Sequence, residues 1–196
     1  MSRTSVREAL RELAAEGLVE IRRGRGVFVR SGAADAAVDG LTAALMRQRD
    51  VLADLFAVRK LLEPASAQWA AARSTAENRQ ELAEILEKMK REAASEEVDY
   101  ATIADLDTEL HATIAGLSGN RVLRQLMRAI NGLHHEQLET SLHYQGRLQE
   151  QIQEHQRIVE AIAAADPIDA SSTMLEHLQR SEQATMAKID GVAPSS

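Results

Sequence analysis

The stretch that decides the fold is DLDTELHATIAGLSGNRVL, residues 105–123. Apolar residues recur at helical spacing up to Leu117, the break SGN (118–120) follows, and a new periodic run begins at once. Asn120 stands where a helix N-cap belongs. Two helices joined by so short a break must run antiparallel, the unit from which helical bundles are built. Asp107 and His111 are four apart and share one helix face. That face is the apolar one, between Ile103 and Leu110, where an unpaired carboxylate is expensive.

The same period extends in both directions. VLADLFAVRKLLEPASAQWAAARS, residues 51–74, places Leu52, Leu55, Phe56, Val58, Leu62 and Trp69 on one long helix, with a kink expected at Pro64. Further helices are expected at 76–95, 98–117, 119–142, 147–165 and 167–189, separated by STAEN, SGN, YQG and ADP. The tail GVAPSS, 191–196, has the composition of a disordered end. Composition agrees with packed helices: 44% of residues are hydrophobic but only 3% aromatic, which disfavours sandwiches and barrels. The chain has no cysteine, which excludes disulfides, thiolate metal sites and cysteine nucleophiles. No apolar run approaches the about 20 residues needed to span a bilayer, and the start lacks the form of a signal peptide. The expected location is the cytoplasm.

Residues 1–40 read differently. SRTSVREALRELAAEGL is a helix with Ser2 as N-cap, an apolar stripe of Val6, Leu10 and Leu13, and Gly17 as terminator. Leu18–Ile21 and Val27–Val29 are two β-rich runs around the basic turn RRGRG, hence a hairpin. SGAADAAVDG is a small polar linker. The net charge of −7 is uneven: residues 1–30 carry seven Arg against four Glu, leaving the rest at −10. A basic segment on an acidic body suits contact of one part with an anionic polymer. A helix followed by a basic-tipped hairpin is the second half of a winged helix. Its N-terminal turn would enter a major groove and its tip would lie along phosphates. A plain amphipathic helix and a charged hairpin fit the charge pattern equally well.

Histidine placement supplies the second candidate site. His155 sits among Ile152, Val159 and Ile162, and His177 beside Met174 and Leu178, on helices expected to be antiparallel neighbours. Three imidazoles and one carboxylate converging inside a bundle would make a first shell for a borderline divalent ion. A single histidine on an apolar stripe is more often a hydrogen-bonded core residue. His135 and His143 fall on exposed positions.

SRTSVREALRELAAEGLVEIRRGRGVFV closely resembles the end of the DNA-binding domain of GntR-family transcription regulators. FAVRKLLEPASAQWAA, DLDTELHATIAGLSGNRVL, EHQRIVEAIAAAD and MLEHL resemble the FCD effector domain of the FadR branch. The resemblance implies an all-α antiparallel bundle preceded by the C-terminal part of a winged helix-turn-helix. The domains would be 1–31 (DNA-binding), 32–40 (linker), 41–190 (effector-binding and dimerisation) and 191–196 (tail). It implies DNA contacts at Arg3, Thr4, Ser5, Arg7, Arg23 and Gly24, and a divalent metal (zinc, nickel or manganese) on Asp107, His111, His155 and His177. It also implies a small carboxylate effector at the metal, with Arg59 orienting the anion and His134 lining the pocket. Arg59 could instead pair with Glu63, one turn on, and His134 could simply pack in the core.

The implied molecule is a homodimeric, ligand-responsive repressor that reads operator DNA. The leading helices of the winged domain would lie ahead of Met1, where the family commonly has Val. A start codon set too late, at an internal GTG, is the expected cause, and weakened DNA binding the expected consequence. Two other readings stay open. One is a metal-dependent enzyme acting on small organic acids, which lacks an evident separate general base beside the site. The other is a regulatory or dimerisation module without DNA binding.

Overall fold

The computed structural model describes residues 3–15, 19–22, 26–29, 51–143 and 146–189. They belong to two compact units, Met1–Arg49 and Asp50–Ser196.

In the first unit α1 (Arg3–Ala15) precedes β1 (Val19–Arg22) and β2 (Gly26–Val29). The strands pair antiparallel, with Val19 opposite Val29 and Arg22 opposite Gly26. Gly26 opens β2 at φ 107°, a conformation that a side chain would disfavour. The expected helix and hairpin are therefore present. Val6 and Leu13 of the apolar stripe are exposed, so this face of α1 is not buried in the chain. Ser2, Gly17, the basic tip and the linker lie outside the described residues.

Among the described residues the second unit holds six helices: α2 (Val51–Arg73), α3 (Ala76–Ala93), α4 (Tyr100–Leu117), α5 (Arg121–Leu142), α6 (Arg147–Ala163) and α7 (Pro167–Ile189). Local chemistry sets their ends. Thr75 and Asn78 form a reciprocal capping box on α3. The Asp99 carboxylate accepts from the Ala101 and Thr102 amides, so α4 begins at Tyr100, two residues later than expected. Asn120 caps α5 as expected, accepting from Val122 and Leu123. Asp166 accepts from the Ile168 and Asp169 amides, and Pro167 occupies the first position of α7, where its missing N–H is harmless. Helix α2 runs on through Pro64 as one element.

Cross-helix contacts give the directions. Ala115 and Leu123 share an apolar cluster and Tyr100 meets His143 at a ring separation of 4.0 Å, so α4 and α5 are antiparallel. Arg157 reaches Glu176 and Glu154 reaches His177, so α6 and α7 are antiparallel too. The main core joins Leu82, Ile85 and Met89 of α3 to Ile103, Leu110, Ile158, Ile162, Met174 and Leu178. A smaller cluster gathers Ala115, Leu123 and Met127, with Leu62 and Ile130 packed on it. Val58 and Trp69, set on the long helix by period, prove to be exposed. Among the described residues no helix is long and apolar enough to cross a membrane.

Replacing Asn120 by Ala removes the acceptor for two amides at the start of α5 and is expected to lower stability by about 1 kcal/mol. Urea denaturation measures this, and an unchanged midpoint would show that the SGN turn holds without its cap.

Candidate metal centre

Asp107 and His111 lie one turn apart on α4, His155 on α6 and His177 on α7. All four side chains are buried, and one potential ligand atom from each lies within 4.8 Å of the others. The imidazole centroids are 5.4 Å (His111–His155), 5.2 Å (His111–His177) and 4.5 Å (His155–His177) apart. Asp107 Oδ1 is 3.2 Å from His155 Nε2 and 3.8 Å from His111 Nε2. The expectation that these residues converge is thus met by the fold. Neither His111 Nε2 nor either ring nitrogen of His155 has a hydrogen-bond partner. The Asp107 contact to His155 lacks the alignment of a hydrogen bond. Leaving one such atom buried costs about 1–3 kcal/mol. An N3O donor set with free imidazole nitrogens fits a divalent ion.

A further ring of side chains fixes three of the four, Asp107, His111 and His177. His111 Nδ1–H donates to Glu63, and His177 Nδ1–H donates to Glu154 Oε2 at 2.8 Å. Each carboxylate thereby engages Nδ1 and leaves Nε2 as the nitrogen available to a metal; that of His111 lies 3.8 Å from Asp107 Oδ1. Gln151 Nε2 donates to Asp107 Oδ1 at 2.8 Å. Arg147 grips Glu154 with both Nη atoms, at 2.9 and 3.1 Å, a bidentate pair. Arg59 Nε donates to Glu63 Oε1 at 2.5 Å, the pairing that sequence spacing allowed, while its Nη1 is buried without a partner.

Sequence reasoning did not name Gln151, Glu154 or Arg147. A signal existed: Gln151 is one turn before His155 on the same face, and Glu154 is its neighbour. Two carboxylates, Glu63 and Glu154, stand beside the site. Glu63 and Glu154 are each engaged by an arginine and a histidine, so neither is a free base. His134 lies on α5, but its side chain falls outside the described residues. His143 is exposed as expected; the side chain of His135 is not described. Ser5 and Arg7 are exposed on α1. Arg3 and Thr4 open that helix with side chains outside the described set, and Arg23 and Gly24 lie outside it altogether.

Burial opposes the charge of Asp107, yet His111 and His155 hold its carboxyl far below the usual range. Glu63 is held low against the same burial by Arg59 and His111. Glu154, also desolvated, falls to about 2 through His177 and Arg147. Burial lowers His155. Burial and the adjacent His155 bring His177 down to about 3. His111 moves the other way, because Glu63 and Asp107 outweigh its desolvation.

An unfolded imidazole takes up its proton near pH 6.5. Folded His155 and His177 do so only at lower pH, so their contribution is complete above about 6.5 and is lost as pH falls below it. His111 acts oppositely, losing its contribution as pH rises through its raised value. The metal-free chain is expected to lose thermal stability between pH 6.5 and 4, and His177→Gln to flatten that slope. A slope unchanged by the substitution would show that His177 is not held neutral.

Comparison with known proteins accords with both halves of the chain. Residues 54–180 match the FCD domain model and residues 1–29 the model of bacterial regulatory proteins of the gntR family. The HTH-type transcriptional regulator LutR of Bacillus subtilis is 32% identical over 187 residues, covering 93% of this chain and 84% of that protein. The galactonate operon transcriptional repressor of Escherichia coli is 32% identical over 170 residues, covering 84% and 72%. The solved structure of Streptococcus agalactiae GntR superposes with a TM-score of 0.73 at 27% identity, covering 93% of this chain and 82% of that one. These relatives are regulators rather than enzymes. The chain belongs to the GntR family of bacterial transcription regulators and carries an FCD domain behind a gntR-type DNA-binding segment.

Proposed function

We propose that this chain is a FadR-type repressor that senses a small carboxylate at a divalent metal held by Asp107, His111, His155 and His177. The observation that carries the reading is the buried tetrad, with the Nδ1 atoms of His111 and His177 pinned by Glu63 and Glu154 so that their Nε2 atoms are left available. The metal would act as a Lewis acid that takes carboxylate oxygens. Charge supports an anionic partner. Two buried arginines, Arg59 and Arg147, face three buried carboxylates, Glu63, Asp107 and Glu154, which leaves one negative charge when the imidazoles are neutral. A divalent ion reverses that sign, and the buried, unpartnered Arg59 Nη1 adds a directed donor. His134 belongs to the same reading as a pocket-lining residue.

The proposed organisation is 1–31 for DNA contact, 32–40 as linker, 41–190 for effector binding and dimerisation, and 191–196 as tail. Arg3, Thr4, Ser5, Arg7, Arg23 and Gly24 would meet operator DNA in the cytoplasm. Effector binding would change repression because it favours one arrangement of paired DNA-binding segments over another. The repressor sign is supported by the name of the galactonate operon relative.

A homodimer is supported by apolar side chains that the second unit leaves outside. Leu61 is 75% and Val122 69% exposed, with Val58, Trp69 and Leu126 also open. They sit on α2 and α5, two helices that meet where Leu62 packs on the Leu123–Met127 cluster. A contiguous exposed apolar face marks an association surface.

Mass spectrometry of the untagged protein is expected to find about one divalent ion per chain, lost in His155→Ala. In Glu154→Gln the metal affinity should fall about 10–100-fold. Protein that carries no ion and shows no thermal shift with zinc, nickel or manganese would reduce the tetrad to a packed polar cluster. Leu61→Glu is expected to shift the sedimenting species from dimer to monomer; wild type sedimenting as a monomer would end the dimer reading.

A further inference from the structure

Arg147 stands where a cation is unfavourable. It is the first residue of α6, and the aligned amide dipoles make that end of a helix positive. The residue is only 5% exposed, a costly environment for a charge. Its Nε is buried without a partner. Gly146, ahead of it, is left-handed at φ 83° and supplies no side-chain cap. Nothing at the helix start therefore accounts for a buried arginine there.

What accounts for it is Glu154, two turns on. Arg147 Nη1 donates to Oε1 at 2.9 Å and Nη2 to Oε2 at 3.1 Å, a fork that fixes both oxygens of the carboxylate in one plane. Oε2 in turn accepts from His177 Nδ1 at 2.8 Å. A second cation, Arg180, is 3.7 Å from Oε1 on a half-exposed side chain, outside hydrogen-bond range. The orientation of Glu154 thus rests on Arg147. The chain on the other side of the centre is held less completely: Arg59 reaches Glu63 through Nε and leaves Nη1 unpartnered.

We infer that Arg147 is a positioning residue for the metal centre: by clamping both oxygens of Glu154 it fixes the ring of His177 and so raises the affinity for a divalent ion. The inference rests on the metal reading above and adds a residue that acts through Glu154. A carboxylate free to rotate would let the imidazole swing with it, and that freedom would have to be given up when an ion binds. A fork is needed for this, since a lysine ammonium is a point charge that sets no plane.

The test uses the full chain with zinc as the probe, its affinity measured by competition with a chelator. Arg147→Met is expected to lower zinc affinity about tenfold, and Arg147→Lys by less. In a Glu154→Gln background Arg147→Met should change affinity by less than twofold, because the residue through which it acts is gone. NMR of the metal-free chain gives a readout independent of zinc. The bonded Nδ1 proton of His177, assigned by its loss in His177→Gln, is expected in wild type and should broaden or vanish in Arg147→Met while the amide spectrum is kept. Wild-type protein that binds no zinc would overturn the metal reading and this inference with it. Zinc affinity within twofold of wild type in folded Arg147→Met, an unchanged Nδ1 proton, or a full further loss in the double variant would overturn this inference alone. Should Arg147→Met fail to fold, Arg147→Lys decides: lowered affinity at an unchanged Tm supports the role, and unchanged affinity refutes it.

Discussion

Burying carboxylates between apolar helices is tolerable only if their charge is matched, and that constraint organises the bundle. Glu63 and Glu154 meet it from opposite sides. Each binds a histidine through Nδ1 and is itself held by an arginine, Arg59 or Arg147. The result is two buried arginine–carboxylate–imidazole chains that converge on Asp107. Removing one member would strand a buried charge, the costly way to break such a network. The network therefore sets the relative placement of α2, α4, α6 and α7 more tightly than apolar packing alone could.

The same chains prepare the site. With Nδ1 committed, His111 and His177 keep Nε2 available to an ion, and Gln151 fixes Asp107. Rotation of these two rings is settled by the protein itself, so little ordering would remain to be done if an ion bound. Desolvation keeps His155 and His177 neutral at ordinary pH, the form in which a histidine can ligate a metal. The hydrogen bonds that stabilise the buried charges are thus the same ones that orient the tetrad.

Much of this was legible in the chain. The helical period, the breaks at 118–120 and 165–167, and the Asn120 cap mark the bundle, because capping and amphipathicity are local properties. Asp107 and His111 could be paired because a helix repeats every 3.6 residues. His155 and His177 could be added because polar residues on an apolar stripe stand out. Helix boundaries needed adjustment. Helix α4 starts at Tyr100 because Asp99 bonds the next two amides rather than joining the helix. The pairing of Glu63 and Glu154 with the site histidines could not be read from the chain, because they lie 48 and 23 residues from the histidines they hold.

The sequence by itself determined that the chain is a helical bundle behind a basic helix-and-hairpin segment, and which four residues could ligate a metal, since both follow from short-range periodicity. Only the tertiary structure decided how those residues are oriented. It matched Glu63 with His111, Glu154 with His177 and Gln151 with Asp107, and it left Asn131, Thr185 and Arg59 Nη1 without partners. Those outcomes depend on the rotation and register of helices packed against one another, which are set by side chains far apart in the chain.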